Sequence, residues 1–328
     1  MRVAFLGNAA WSVPSLESLA ESPHEIETVV TRRPRPAGRG NKLTPTPVAE
    51  AARRLALHVE EVETVKSGPG FETLAEAAPD TLVVVAYGEI LPQAILDIPK
   101  VAPVNLHFSL LPELRGAAPV QRAVMEGLTV TGVTTIRMDA GMDTGPILLR
   151  AQEPILPDDD AGSLGARLAA IGGRLVVDTI DRIEAGTLEE RPQDESLATY
   201  AGKLGPEDRV IRWDRDPDAI VNQVRALSPE PGAVTTFRGK NIKILRASTR
   251  ALHFPSRVPP AGTLFVADGG DWDPFPVVST GTSRVIVLDK VAPEGRRRMS
   301  GAEFLRGYRP QDREMLGGPP NEEPANRN

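Results

Sequence analysis

Apolar and polar positions alternate in two regimes along this chain, and the change falls within residues 186–208. In the first regime, short aliphatic runs alternate with segments of helical period. RVAFLG at 2–7 reads as a buried strand, and the helix that starts at Val13 and Pro14 turns Leu16 and Leu19 inward. EIETVVT at 25–31 is the next strand, followed by a Pro/Gly/Arg loop over 32–45 whose glycines and prolines keep it out of regular structure. PVAEAARRLAL at 47–57 is an amphipathic helix with proline in its first turn. HVEEVETV leads towards a strand, FETLAEAAP is a helix, and TLVVVAYG is the strongest buried strand. AVMEG closes a further helix, TGVTTIRMD and ILLRAQEPIL read as strands, and 163–186 is a long helix. Strands alternating with crossover helices predict an α/β fold with a Rossmann-like, mostly parallel sheet. Ligands in such sheets gather at the C-terminal strand ends, and Asn105 falls directly after the strand VAPV.

The second regime begins with DPDAIVNQVRAL (216–227) as a helix. AVTTFRG, KNIKILRAS, GTLFVA, PVVSTG and SRVIVLDKV follow as short strands between Gly and Pro turns, which suggests a small barrel. The pattern divides the chain into a first domain at 1–189, a polar linker at 190–207, a second domain at 208–312 and a disordered, Pro/Asn/Glu-rich tail at 313–328.

Composition narrows the picture. Hydrophobic content of 41% and charged content of 25% are ordinary for a globular protein, and no run approaches a membrane span. The N-terminal apolar run leads straight into a glycine turn, so it reads as a strand and not a signal peptide. With no cysteine, disulfides and thiolate metal ligands are excluded, which fits a cytoplasmic protein. A net charge of −6 argues against binding nucleic acid by bulk attraction. The basic residues are clustered, however: Arg32, Arg33, Arg35, Arg39 and Lys42 stand without an acid, Arg296–Arg298 form a second group, and 238–250 a third. Separate basic patches on an acidic protein suit a polyanion held at a defined surface.

The candidate chemistry lies in VNLHFSLLPELRGAAP (104–119) and GMDTGP (141–146). Asn105 and His107 are two apart, so an extended backbone points both to one side. A carboxamide can donate to a developing oxyanion and an imidazole can move a proton, while the Gly-rich loop can bring Asp143 to that imidazole. Each residue alone reads as a cap, a core histidine or a turn former. Together, and without a Ser or Cys nucleophile, they suggest direct attack of a substrate on a carbonyl-like carbon. GNAAWS at 7–12 is not GxGxxG, so a dinucleotide site is poorly supported. No His/Asp/Glu cluster has metal-ligand spacing.

NLHFSLLPELRGAAPVQRAV resembles the folate-dependent formyltransferases, whose core reads Asn-x-His-x-Ser-Leu-Leu-Pro. RPRPAGRGNKLTPTPV (33–48), VVVAYGEILP (83–92) and GVTTIRMDAGMDTGPIL resemble the branch of that family that formylates methionyl-tRNA. The resemblance implies 10-formyltetrahydrofolate as formyl donor, initiator methionyl-tRNA as acceptor, and formylmethionyl-tRNA for translation initiation as product. It implies a catalytic first domain and an OB-like second domain that binds tRNA, with no metal, membrane or obligate protein partner. Asn105 would hold the oxyanion, and His107 with Asp143 would handle the proton. Ser109, Leu110, Leu111 and Pro112 match the folate-contact motif, and Val85, Ala86, Tyr87 and Gly88 would line the same pocket. Arg35, Arg39 and Lys42 would meet the tRNA acceptor end.

Four positions depart from the family's pattern. GNAAWS stands where Gly-Thr-Pro-x-Phe is usual, so Trp11 would replace the aromatic, and Phe108 stands where small residues are common. Asn41 replaces a lysine, and Pro146 an aspartate. Two other readings compete: formylation of a sugar-nucleotide amine, which leaves the basic 33–48 segment without a purpose, and a non-catalytic RNA-binding protein, which leaves Asn105, His107 and Asp143 without one.

Overall fold

The computed structural model describes residues 1–37, 42–254, 257–269, 272–311 and 313–317. The chain forms two compact units. The first holds Met1–Val120, Thr129–Ile155 and Leu164–Lys203; the second holds Gln121–Leu128, Leu156–Ser163 and the described residues from Leu204 onward.

A seven-stranded sheet carries the first unit, in the order Val59–Val62, Glu25–Arg32, Arg2–Gly7, Thr81–Val85, Ala102–His107, Val130–Arg137, Ile147–Pro154. The first five strands are parallel, and the last two join by antiparallel pairing. Parallel strands covered on both faces must be apolar along their whole length. Val3, Ala4, Phe5, Leu6, Leu82, Val83 and Val84 meet that demand and are all buried. Because the strands run together, Gly7, Arg32, Val85 and His107 all finish at one edge, which gathers the loops after them.

Helices fall close to their expected positions: Val13–Ala20, Pro47–Arg54, Pro69–Ala77 and Ala161–Glu184. Thr46 caps the second of these by accepting from the Ala49 amide at 3.0 Å. The loop expected to lack regular structure is in part a ribbon, Arg35–Ala37 paired antiparallel with Lys42–Thr44. Both strands of a two-stranded ribbon are edges, so Pro36 is tolerated there despite its missing N–H.

The second unit is a small antiparallel barrel, in the order Ala233–Phe237, Lys240–Ala251, Arg284–Pro293, Trp272–Ser279, Thr263–Gly269, Glu314–Met315. A bridge between Phe237 and Leu316 joins the two ends of that order, and the Gly317 amide donates to the Thr236 carbonyl at 3.1 Å. Closure removes the exposed edges of the sheet. The described chain thus stays in the barrel through Gly317, inside the stretch read as a disordered tail from 313; residues 318–328 lie outside the described residues.

Phe237, Ile244, Leu264, Leu288 and Phe304 fill the interior, where Phe304 lies 5.0 Å from Tyr308 and 5.3 Å from Phe237 between ring centroids. Arg122 clasps Asp208 with two bonds of 2.7 and 2.8 Å, tying the Gln121–Leu128 segment to this unit, and holds the Asp208 carboxyl below the usual carboxylate range. The helix Gly301–Tyr308 has no counterpart in the periodicity reading, although Ser300 and Glu303 form a complete capping box. The S-x-x-E spacing before Phe304 was the available signal. Among the described residues, no helix is long and apolar enough to cross a membrane.

Two substitutions separate packing from capping in this unit. Phe304→Ala should lower the unfolding free energy by about 3–5 kcal/mol, and Ser300→Ala by about 1 kcal/mol. Denaturant titration of each variant checks both values and their order.

Candidate active site

The strand Ala102–His107 ends on the Asn105 and His107 side chains, which its two-residue period turns to one side. Asn105 is half-buried, and its carboxamide has no hydrogen-bond partner among the described residues. His107 is buried. Its Nε2 lies 2.9 Å from the Leu114 carbonyl, which can only accept, so this nitrogen carries hydrogen. Nδ1 faces Asp143 Oδ2 at 3.5 Å, beyond hydrogen-bond range but close enough for a proton there to be met by the carboxylate.

Asp143 sits on left-handed backbone with φ +58°. Its Oδ2 accepts the Gly116 amide at 2.8 Å, so one oxygen serves both the imidazole and the loop after the strand. Gly116 has φ +117°, and a Cβ there would lie 2.9 Å from the Ala201 carbonyl oxygen, so only glycine fits. Asn105, His107 and Asp143 are thereby brought to one strand end; the two-residue spacing predicted a shared side for Asn105 and His107, and the Gly-rich loop allowed for the arrival of Asp143.

The Ser-Leu-Leu-Pro turn packs mainly inward. Ser109, Leu111 and Pro112 are buried and Leu110 is half-buried. Ser109 Oγ donates to the Glu113 carbonyl at 2.6 Å. Thr134 Oγ1 donates to the Ser109 carbonyl at 2.7 Å and accepts the Leu111 amide at 3.1 Å. In the neighbouring loop Ala86 and Gly88 are exposed, while Val85 and Tyr87 are buried. The Tyr87 hydroxyl has no hydrogen-bond partner among the described residues, and burial pushes its ionisation well above the ordinary phenol range. Among the described residues, no group of three or more His, Cys, Asp or Glu could hold a metal ion.

Residues 1–180 match the family model described as "Formyl transferase", and 203–309 match "Formyl transferase, C-terminal domain". The methionyl-tRNA formyltransferase of Aromatoleum aromaticum is 42% identical over 308 residues, covering 94% of each chain. That of Moorella thermoacetica is 42% identical over 317 residues, covering 97% of this chain and 99% of its own. The chain belongs to the methionyl-tRNA formyltransferase family. Its fold is also similar to solved structures at low identity. The N-formyltransferase from Helicobacter canadensis is 18% identical with a TM-score of 0.62, covering 87% of this chain and 98% of its own. The sugar 3N-formyl transferase WlaRD is 16% identical with a TM-score of 0.62, covering 90% and 99%.

Within this family the two aromatic departures turn out to be one feature. Trp11 and Phe108 pack with ring centroids 5.8 Å apart, and the Trp11 ring lies so close to Gly165 that a Cβ there would come within 2.1 Å of it. The Asn8 side chain, where the family has Thr, accepts from Thr31 Oγ1 at 3.0 Å and the Arg32 amide at 2.8 Å, and donates to the Tyr87 carbonyl. At the other departure in the Asp143 loop, the Pro146 carbonyl accepts the Arg137 amide at 3.0 Å.

Arg35 and Lys42 stand exposed on the ribbon. The pairing of Arg35 with Thr44 and of Ala37 with Lys42 puts both cations on one face, diagonal to each other, and Pro36 with Leu43 on the other. Arg39 lies outside the described residues.

Four residues around Asp143 escaped the sequence reading: Leu114, Arg115, Gln193 and Glu195. Arg115 is fully buried. Its guanidinium donates to Glu195 through two bonds of 2.8 Å and to Gln193 Oε1 at 3.1 and 2.9 Å. Gln193 and Glu195 belong to the polar 190–207 stretch read as a linker, whose residues up to Lys203 fall in the first unit. Such a segment has no periodicity to report, because it contributes polar contacts and not an apolar face. The arginine inside RGAAP was the one available signal.

The Arg115 guanidinium holds the Glu195 carboxyl below the usual carboxylate range. A depressed folded-state value adds stability that is present above the unfolded carboxyl range and is lost as pH falls through the folded value. The wild-type first unit should therefore lose stability as pH falls through and below the ordinary glutamate range. Glu195→Gln should flatten that part of the profile, as followed by thermal melts across pH.

Proposed function

We propose that this protein transfers the formyl group of 10-formyltetrahydrofolate to the amino group of methionine on initiator methionyl-tRNA. The observation that carries the chemistry is the meeting of Asn105, His107 and Asp143 at one strand end. The tRNA acceptor is supported by likeness to methionyl-tRNA formyltransferases over nearly the whole chain.

The residues present fit a formylated folate. The unpartnered Asn105 carboxamide is a donor left over for a carbonyl oxygen, and the exposed backbone at Ala86 and Gly88 borders the same sheet edge. Ser109–Pro112 supply the neighbouring turn. The folate provides an activated formyl carbon. The methionyl nitrogen forms the new C–N bond, the bond from formyl carbon to folate nitrogen breaks, and the amine's proton ends on that leaving nitrogen. Asn105 donates to the formyl oxygen as negative charge builds there. His107 takes the amine's proton at Nδ1, the nitrogen not committed to Leu114, where the Asp143 carboxylate meets the resulting charge, and then gives it to the leaving folate nitrogen, so that the imidazole ends neutral. Arg35, Arg39 and Lys42 contact the tRNA backbone near its acceptor end, and the barrel with its basic residues holds the tRNA body. The 1–189 and 208–312 segments divide these tasks as catalytic and tRNA-binding domains. The protein works in the cytoplasm.

Asn105→Ala, His107→Ala and Asp143→Ala should each lower turnover by at least about a hundredfold. Fold and tRNA affinity should stay near wild type. The measurement is formyl incorporation from 10-formyltetrahydrofolate into initiator and elongator methionyl-tRNA. Near-normal turnover in two of the three variants would remove the site, and formylation of amino-sugar nucleotides in place of tRNA would overturn the acceptor.

Arg35→Ala and Lys42→Ala should raise KM for tRNA while leaving KM for the folate unchanged. Each lost phosphate contact should reduce the salt slope of tRNA binding by roughly one unit. Unchanged tRNA kinetics from low to high salt in both variants would reduce the ribbon to a solvated surface feature.

A further inference from the structure

Gln193 lies where the sequence reads as a linker, yet it is half-buried and every polar atom of its side chain is engaged. Its Nε2 donates to the Asp143 carbonyl at 2.7 Å and to the Gly145 carbonyl at 2.8 Å. Its Oε1 accepts from two nitrogens of Arg115, at 3.1 and 2.9 Å. Arg115 immediately precedes Gly116, whose amide holds Asp143 Oδ2 at 2.8 Å. The contacts form a closed ring: Arg115 to Gln193, Gln193 to the Asp143 backbone, Asp143 side chain to Gly116, and Gly116 back along the chain to Arg115.

We propose that Gln193 is a positioning residue for Asp143, with Arg115 and Glu195 as the fixed base from which it acts. The inference rests on the reading of Asp143 as part of the proton-handling pair. Asp143 needs this support because its φ of +58° is unfavourable for a residue with a Cβ. Within its own loop Asp139 accepts the Gly141 amide at 3.0 Å and the Thr144 hydroxyl at 2.7 Å, and Gln193 adds a hold from outside the loop. Gln193 grips the backbone on both sides of Thr144, while Gly116 grips the side chain, so the carboxylate is fixed from two directions. Arg115 is pinned to Glu195 by two bonds of 2.8 Å, so the base does not move with the loop. Neither Gln193 nor Arg115 touches the reacting atoms. Their contribution is geometric, and misplacement by an ångström can cost on the order of a hundredfold in rate.

Two substitutions separate positioning from mere satisfaction of a buried arginine. Gln193→Glu keeps an acceptor for Arg115 but removes both donors to the Asp143 loop. Gln193→Met removes acceptor and donors while preserving length. If Gln193 positions Asp143, both variants should lower kcat at least about tenfold, with KM for the folate and for tRNA within about twofold of wild type. Gln193→Glu sets a carboxylate oxygen against the Asp143 and Gly145 carbonyls, so its melting temperature should fall, and kcat is compared at a temperature where circular dichroism shows the variant fully folded. Wild-type kcat in Gln193→Glu would overturn the proposal, as would a lower melting temperature or a raised KM without a fall in kcat. Asp143→Ala measured alongside separates the two failures. If that variant is inactive while Gln193→Glu is fully active, positioning alone is wrong. If Asp143→Ala is itself fully active, the reading of the site is wrong and positioning falls with it.

Discussion

The site depends on one carboxylate oxygen, Oδ2 of Asp143. It accepts the Gly116 amide at 2.8 Å and stands 3.5 Å from His107 Nδ1, so the loop after the Ala102–His107 strand and the loop before the Ile147–Pro154 strand meet at a single atom. Those strands are not neighbours in the sheet; Val130–Arg137 lies between them. A contact between residues 27 apart in the chain cannot be made by local turn chemistry. It requires a glycine that lets the Ala201 carbonyl approach on one side and a left-handed aspartate on the other, a backbone state that costs roughly 1–2 kcal/mol. The surrounding hydrogen bonds over-determine that state, which is the usual condition for strain to persist at a functional position.

Arg115 shows what over-determination requires here. A fully buried guanidinium is unfavourable unless its donors are used, and here Glu195 and Gln193 take up four of the five. Such a pair is weak evidence for net stability, because desolvation offsets much of the attraction. Its value lies in direction: a planar donor bound at several points has one orientation, and the residues bound to it inherit that orientation. The neighbouring aromatic pair achieves something similar without charge. Trp11 and Phe108 pack against each other with ring centroids 5.8 Å apart, and the indole lies so close to Gly165 that no Cβ fits there.

In the second unit the governing constraint is closure of the sheet. The Phe237–Leu316 bridge joins strands far apart in sequence, and Phe237 also packs edge-on against Phe304. The residue that ends the first barrel strand therefore both seals the hydrogen-bond ladder and seats the Gly301–Tyr308 helix. The polar 204–210 region is drawn into the same unit by Gln223, which donates to the Asp208 and Val210 carbonyls at 2.8 and 3.0 Å. In both units, then, side-chain amides and guanidinia tie loops to the regular elements, from the loops themselves in the first unit and from the helices that carry Arg122 and Gln223 in the second.

The sequence by itself determined the sheet, the barrel and the chemistry-bearing strand end. Aliphatic runs at 2–7 and 81–85 can only be strands covered on both faces, and the two-residue period alone puts Asn105 and His107 on one side. The arrival of Asp143 was legible as a possibility, since a Gly-rich loop allows it. Tertiary structure alone decided which atoms meet: that His107 gives Nε2 to Leu114 and turns Nδ1 to Asp143, that Ser109 and Leu111 point inward, that Arg35–Ala37 pairs with Lys42–Thr44 as a ribbon, and that Gln193 belongs to the site. The physical reason is range. Burial and periodicity are imposed on each residue by its own neighbours along the chain, whereas a hydrogen bond between residues 50 apart exists only after packing has brought their backbones together.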